Sequence, residues 1–243
     1  RPHIEKRYSM DWSKPASRMR EMVQAIHAIW DSWDNGSRLD FKGQFYTHTI
    51  MTPTFNPGPN PFGRPKIFLA GFGERMVQMV GEVADGFLVH PLNSRHFLQS
   101  YSLPALERGL KMSGRQRSDI DVSVQIITAM GNDEKQLEDS KALARNQIAF
   151  YGSTPAYKPA LDAHGRGDEL QPQLNKLSKE GRWSDMMSLI DDELLQTIAC
   201  VGSPQQVANQ IKDRYSDIAD RVSPVAYTSD PSLLTDLVAE LKR

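Results

Sequence analysis

The chain has 243 residues, 29 Lys and Arg against 30 Asp and Glu, and a net charge of −1 at pH 7. This balance lacks the basic excess by which nucleic-acid binders hold phosphates. No apolar run approaches the roughly 20 residues needed to span a bilayer, and no basic amphipathic helix marks a membrane-surface protein. Hydrophobic residues make up 39%, enough for the core of one large domain or two small ones. Cys200 is the sole cysteine, so neither an internal disulfide nor a cysteine-based zinc site can form, which suits a reducing cytoplasm. The opening "RPHIEKRYSMDW" lacks the apolar centre of a signal peptide. It also lacks an initiator methionine, and we expect a piece of a longer chain.

Ser13 to Trp33 predicts an amphipathic helix, with Met19, Met22, Val23, Ile26, Trp30 and Trp33 at three- and four-residue spacing. Pro15 fits its first turn and Asn35-Gly36 its end. "LDFKGQFYTH", Leu39 to His48, predicts a small hairpin. "TPTFNPGPNPFGRP", Thr52 to Pro65, is too rich in proline for a helix or a ladder and predicts an extended surface crossing. "KIFLA" (66–70) reads as a strand buried on both faces. A helix over 74–83, a strand over 86–90, a helix over 95–112, a strand over 120–128 and a helix over 133–150 follow. This alternation predicts right-handed βαβ units and a parallel sheet. Tyr151 to Asp185 breaks the pattern and reads as an insertion. A helical stretch over 186–198 comes next. Ser203, Pro204 and Gln206 then form a capping box with proline at the first helical position. A strand over 221–228 and a terminal helix from Ser232 close the chain. Four strands are half the number a closed (β/α)8 barrel needs, so either the sheet is open or barrel strands precede Arg1.

The stretch Gly71-Phe72-Gly73-Glu74-Arg75 stands between a strand and a helix. First-turn amides have no partner within their helix and lie at the positive end of its dipole. Glycines let a phosphate come close to them, and Arg75 adds a charged fork. The turn is therefore either a phosphate cradle or a plain tight turn. It is not a dinucleotide fingerprint, because Met76 replaces the third glycine and no acid ends the next strand. His90-Pro91 ends a strand on the face where parallel α/β folds bind ligands, or it simply caps that strand. "YGSTPAY", Tyr151 to Tyr157, sets hydroxyls and rings in one loop, as a pocket lining or as packed surface. "RPHIEKRY" crowds His3 and Arg7 near the start. His27, His96 and His164 read as surface residues. Asp191 to Glu193 has no histidine at ligand spacing and reads as a solvated helix start.

Taken together, the "LAGFGERM…GEVADGFLVHP", "IAFYGSTPAY", "LSKEGRW…LIDDE" and "VGSPQQVANQI" blocks resemble the bacterial luciferase-like monooxygenase superfamily, and within it the deazaflavin (coenzyme F-420) dependent oxidoreductases. The resemblance implies an α/β fold: a (β/α)8 TIM barrel with an insertion over about 151–185, in one domain over 1–243. It implies coenzyme F-420, or alternatively flavin mononucleotide (FMN), at the strand C-termini, with a small-molecule substrate. Gly71, Phe72, Gly73, Glu74 and Arg75 would hold the cofactor phosphate. His3 and His90 become catalytic candidates, and Arg7, Tyr151, Ser153, Thr154 and Tyr157 pocket candidates. The family's first strands have no counterpart, so we expect the C-terminal two-thirds of such a barrel. Its open edges would favour a homo-oligomer. The implied activity is hydride transfer between F-420 and an organic substrate. The alternatives are an FMN monooxygenase using oxygen and a non-catalytic barrel serving as a binding or assembly module.

Overall fold

The computed structural model describes residues 3–228 and 230–243. A π-helical turn, His3–Arg7, precedes helix α1, Pro15–Asn35. Gly36 ends α1 in the left-handed region at φ 63°, which costs glycine nothing. Strands β1 (Phe41–Lys42) and β2 (Thr47–His48) pair antiparallel over two residue pairs only. The hairpin turn is held instead by the Glu21 carboxylate of α1, which accepts the N–H groups of Gln44, Phe45 and Tyr46 at 2.9, 2.6 and 2.7 Å. The proline-rich stretch carries a single 3-10 turn, Pro53–Phe55.

Strand β3 (Phe68–Gly71), helix α2 (Glu74–Val83) and strand β4 (Gly86–Val89) follow as the pattern predicts. The helix expected over 95–112 is interrupted. It comes as α3 (Arg95–Phe97), a π-helical stretch Leu98–Ser102, and α4 (Leu103–Met112). Pro104 has no N–H and its ring crowds a regular preceding turn, and the wider π turn relieves both problems. Strand β5 (Asp121–Met130) leads to α5 (Glu134–Gly152).

The interval after α5 is helical rather than loop-like. Tyr151 and Gly152 close α5, and α6 (Lys158–Asp162), α7 (Gly167–Lys179) and α8 (Trp183–Met187) come after it. The stretch over 186–198 is divided: Asp191 accepts the Leu194 N–H at 2.9 Å and starts a new helix, α9 (Asp192–Ile198). Strand β6, Cys200–Gly202, escaped the sequence reading because three residues show no period. The capping box at Ser203 and Gln206 opens α10 (Pro204–Tyr215), followed by β7 (Arg221–Ala226) and α11 (Ser232–Leu241).

The described residues form two compact units. The first holds residues 3–69, Glu74–Phe87 and Ala105–Ile120. In it α1 packs on α2, and α2 crosses α4 at two glycines. A Cβ at Gly109 would lie 1.9 Å from the Gln78 carbonyl oxygen, and one at Gly81 2.4 Å from that of Leu106. The backbones touch there, so no side chain fits.

The second unit holds Ala70–Gly73, Leu88–Pro104 and Asp121–Arg243, and so contains the C-terminal ends of β3 and β4. Its sheet runs in the order β3-β4-β5-β6, with β7 also paired to β5. The four strands expected from the sequence are thus neighbours. β7 runs parallel to β5 from Ser123↔Arg221 to Thr128↔Ala226, and β6 takes over from Thr128↔Cys200 to Met130↔Gly202. Among the described residues the sheet does not close into a barrel. Ile127, Ala129, Ile148, Leu161, Leu174, Leu195 and Ala199 belong to one buried core that joins β5 to the helices behind it.

Asn93, 2% exposed, fastens the end of β4. Its Nδ2 donates to the carbonyls of His90 and Gln125 at 2.8 and 2.9 Å, and its Oδ1 accepts the Tyr215 hydroxyl at 3.3 Å. One side chain ties the chain beyond β4 to β5 and to the last turn of α10. A buried polar group without its partner costs about 1–3 kcal/mol. Asn93→Ala removes three partners at once, so urea unfolding should show a loss at or above that range.

A second expectation concerns sign. In an open helix Gly→Ala adds up to about 1 kcal/mol of stability. At Gly109 the added methyl meets backbone, and overpacking costs about 1–3 kcal/mol. Gly109→Ala should lower the midpoint of thermal unfolding; a rise would mean that the two helices part without penalty.

Candidate functional site

The residues that follow the strands gather in the second unit. Phe72 follows β3, His90 follows β4 and Tyr227 follows β7. Parallel strands end on a common side, so short residues past each strand are held near one another by the sheet itself. Tyr151 comes from the last turn of α5, and Tyr157 from a 3-10 turn, Pro155–Tyr157. The start of the predicted insertion therefore folds over the C-terminal strand ends.

These rings make an aromatic box. The His90 ring centroid lies 4.4 Å from Tyr157, 4.6 Å from Tyr151 and 5.6 Å from Phe72, the last two edge to face. Phe72 in turn lies 4.7 Å from Tyr157 and 5.3 Å from Phe97, which stacks on Tyr101 at 5.0 Å. Each such pair is worth about 0.5–1.5 kcal/mol beyond the area it buries, so the box is a preformed wall. It is also uncharged. Burial pushes the His90 imidazole down to about 4. Its Nδ1 accepts the Leu92 N–H at 3.1 Å, which leaves the ring proton on Nε2. Burial, aided by the Tyr151 phenol, raises Tyr157 and holds Tyr227 up at about 12.

The glycine turn lies beside this wall. The Phe72 side chain belongs to the box, while Gly73 is exposed. A Cβ at Gly73 would meet nothing within 4 Å, and its φ is outside the left-handed region. Neither packing nor backbone conformation requires glycine there. Without a side chain, Gly73 also cannot cap the first-turn amides of α2. Glu74 pairs with Arg108, which offsets a carboxylate that would repel an anion. Arg75 is exposed.

The other candidates from the sequence are placed as follows. The Ser153 hydroxyl donates to the Phe150 carbonyl at 2.7 Å, and its own carbonyl accepts the Asn175 side chain at 2.9 Å. Thr154 is exposed, and its carbonyl accepts the Tyr157 N–H at 2.9 Å. Both shape the turn that presents Tyr157. Arg7 belongs to the other unit, exposed, with its guanidinium 5.9 Å from the Tyr8 ring centre. The His3 side chain lies outside the described residues.

Two surface assignments need correction. His164 is half-buried, with Nε2 2.9 Å from the buried Ser94 Oγ. That hydroxyl also caps α3 by accepting the Phe97 N–H at 3.0 Å. Burial, then the neighbouring His96, lowers the His164 pKa. His27 is likewise half-buried, 5.7 Å from Trp30, whereas His96 is exposed. The reading by residue type also passed over Tyr227. Its place just after a strand, like that of His90, was the available signal. Burial pushes the Cys200 thiol up to about 11, so it is no nucleophile at neutral pH.

The sequence profile of luciferase-like monooxygenases matches residues 1–221. An uncharacterized protein of Mycobacterium tuberculosis is 48% identical over 243 residues, covering all of this chain and 71% of its own length. The 5,10-methylenetetrahydromethanopterin reductase of Archaeoglobus fulgidus is 24% identical over 213 residues, covering 85% of this chain and 59% of its own. The solved coenzyme F420 dependent tetrahydromethanopterin reductase of Methanopyrus kandleri superposes with a TM-score of 0.68 at 20% identity, over 95% of this chain and 63% of that one. The chain thus spans less than two-thirds of the length of these two reductases. It shares their α/β fold with a parallel sheet, and the profile establishes that it belongs to the luciferase-like monooxygenase family.

Proposed function

We propose that this chain forms the phosphate-binding and ring-facing part of a deazaflavin (coenzyme F420) dependent oxidoreductase acting on a small organic substrate. The observation that carries the reading is Gly73. The fold does not need a glycine there, yet it leaves the backbone just before α2 open. The residues fit the group in both of its parts. Gly71 and Gly73 let a phosphate approach the free amides of α2, and Arg75 supplies a charge-assisted partner. Phe72, His90, Tyr151 and Tyr157 offer rings to a flat, apolar ring system and keep water from it. The solved reductase of Methanopyrus kandleri, named for coenzyme F420, supports the choice of cofactor. Bound there, the deazaflavin would supply the hydride chemistry. The family's description as monooxygenases favours a second reading, an FMN enzyme using oxygen.

Titration of the full-length protein with F420 and with FMN separates the two readings. We expect F420 to bind more tightly and to exchange hydride without oxygen. FMN binding with oxygen consumption and no F420 affinity would support the second reading instead.

Losing one charge-assisted hydrogen bond costs about 1.5–3 kcal/mol. Arg75→Ala should therefore weaken F420 binding roughly ten- to a hundredfold. Gly73→Val should weaken it more, because the branched side chain fills the approach. Since nothing crowds that position, the variant should melt like the parent. Unchanged affinity in both variants would leave the turn with no role in binding.

A further inference from the structure

His90 is the one polar side chain whose ring sits within 6 Å of three rings of the box, and its two nitrogens are not equivalent. Nδ1 is occupied by the Leu92 N–H. A proton placed on Nδ1 would set two donors against each other, so the ring carries its proton on Nε2 and stays neutral. Among the described residues no group takes that Nε2–H, and its atom is not sealed from the surface. The side chains packed against the ring add no charge. Phe72 comes from the β3–α2 turn, Tyr151 from α5 and Tyr157 from the following 3-10 turn, and the only titratable groups among these three are two phenols. Asn93 fixes the residue from behind through the His90 carbonyl.

We propose that His90 is a neutral hydrogen-bond donor, which presents Nε2–H to a carbonyl oxygen on an uncharged, apolar part of a ligand seated against Phe72, Tyr151 and Tyr157. It is an electrophilic contact and not a proton source. Giving up the Nε2 proton while Nδ1 accepts from Leu92 would leave an imidazolate, which neutral water chemistry does not support. The same geometry selects against carboxylate and phosphate groups at this point, since a neutral donor among rings replaces little of an anion's hydration. The chemistry fits two sources: a carbonyl of the deazaflavin ring, or that of a neutral ketone or aldehyde substrate. This inference rests on the proposed oxidoreductase reading for its ligand but not for the state of the histidine.

The test is nitrogen-15 NMR of histidine-labelled full-length protein, with His90 assigned by comparison with His90→Gln. The expected result is an Nε2-protonated ring that stays neutral from about pH 7.5 down to about pH 5, below the ordinary histidine midpoint. Protonation on Nδ1, or titration near the ordinary midpoint, would overturn the proposal. F420, cyclohexanone and cyclohexanecarboxylate are then added separately. A shift of Nε2–H by F420 assigns the cofactor carbonyl, and a shift by cyclohexanone assigns a substrate carbonyl. An equal shift by the carboxylate, or no shift by F420 or cyclohexanone, refutes the donor role. His90→Phe keeps a ring in the box and removes the donor, and should weaken whichever carbonyl ligand responds by roughly two- to tenfold. His90→Gln, which retains an N–H donor, should recover part of that loss. Cyclohexanone moving Nε2–H in a protein that does not bind F420 would sink the cofactor assignment and sustain the donor. F420 binding that leaves Nε2–H unmoved, with cyclohexanone equally silent, would sink the donor alone.

Discussion

Asn93 sets the frame of the candidate site. An amide side chain can satisfy a carbonyl on each hydrogen and a hydroxyl on its oxygen, and this one does all three while 2% exposed. A strand end is otherwise the loosest point of a sheet, because the ladder stops there. By bonding back to Gln125 on β5 and outward to Tyr215 on α10, Asn93 extends the order of the ladder past Val89. His90 gains a fixed backbone, and Ser94 gains the position from which it caps α3 and meets His164.

The site built on that frame is aromatic and nearly charge-free. The aromatic rings provide shape, and the pKa shifts of His90, Tyr157 and Tyr227 all run in the direction that burial dictates, toward the neutral form. Charge is kept to the periphery. Arg95 meets the Asp217 carboxylate through two bonds of 2.6 Å, and Arg166 meets Asp191 at 2.8 Å. Both are exposed pairs whose worth is modest. Such a division suits the flat apolar ring of the proposed cofactor.

Much of this was legible in the sequence where the signal is local. The Ser203–Gln206 capping box forms with the Ser203 N–H 2.9 Å from Gln206 Oε1. Both partners lie within one turn of helix, so three residues of spacing suffice to announce it. The strands 68–71, 86–89, 121–130 and 221–226 fall where apolar runs stood. Local signals failed where length or context ruled. β6 is three residues long and exists because the end of β5 offers it a partner. His164 was read as surface, and it is half-buried because Ser94, 70 residues away, lies against it.

The sequence by itself determined the class of fold, the order of its elements and the glycine turn, since hydrophobic period, capping chemistry and backbone permissiveness depend on residues a few positions apart. It also carried the family blocks, so membership in the luciferase-like family was readable before any coordinate. Tertiary structure alone decided which side chains share a wall. Phe72, His90, Tyr151 and Tyr157 are spread over 86 positions, and only the sheet together with α5 packed on it brings five of their six ring pairs to between 4.4 and 6.2 Å. It also decided the protonation of His90, because burial and the Leu92 amide act on that ring through space and leave no trace in residue type.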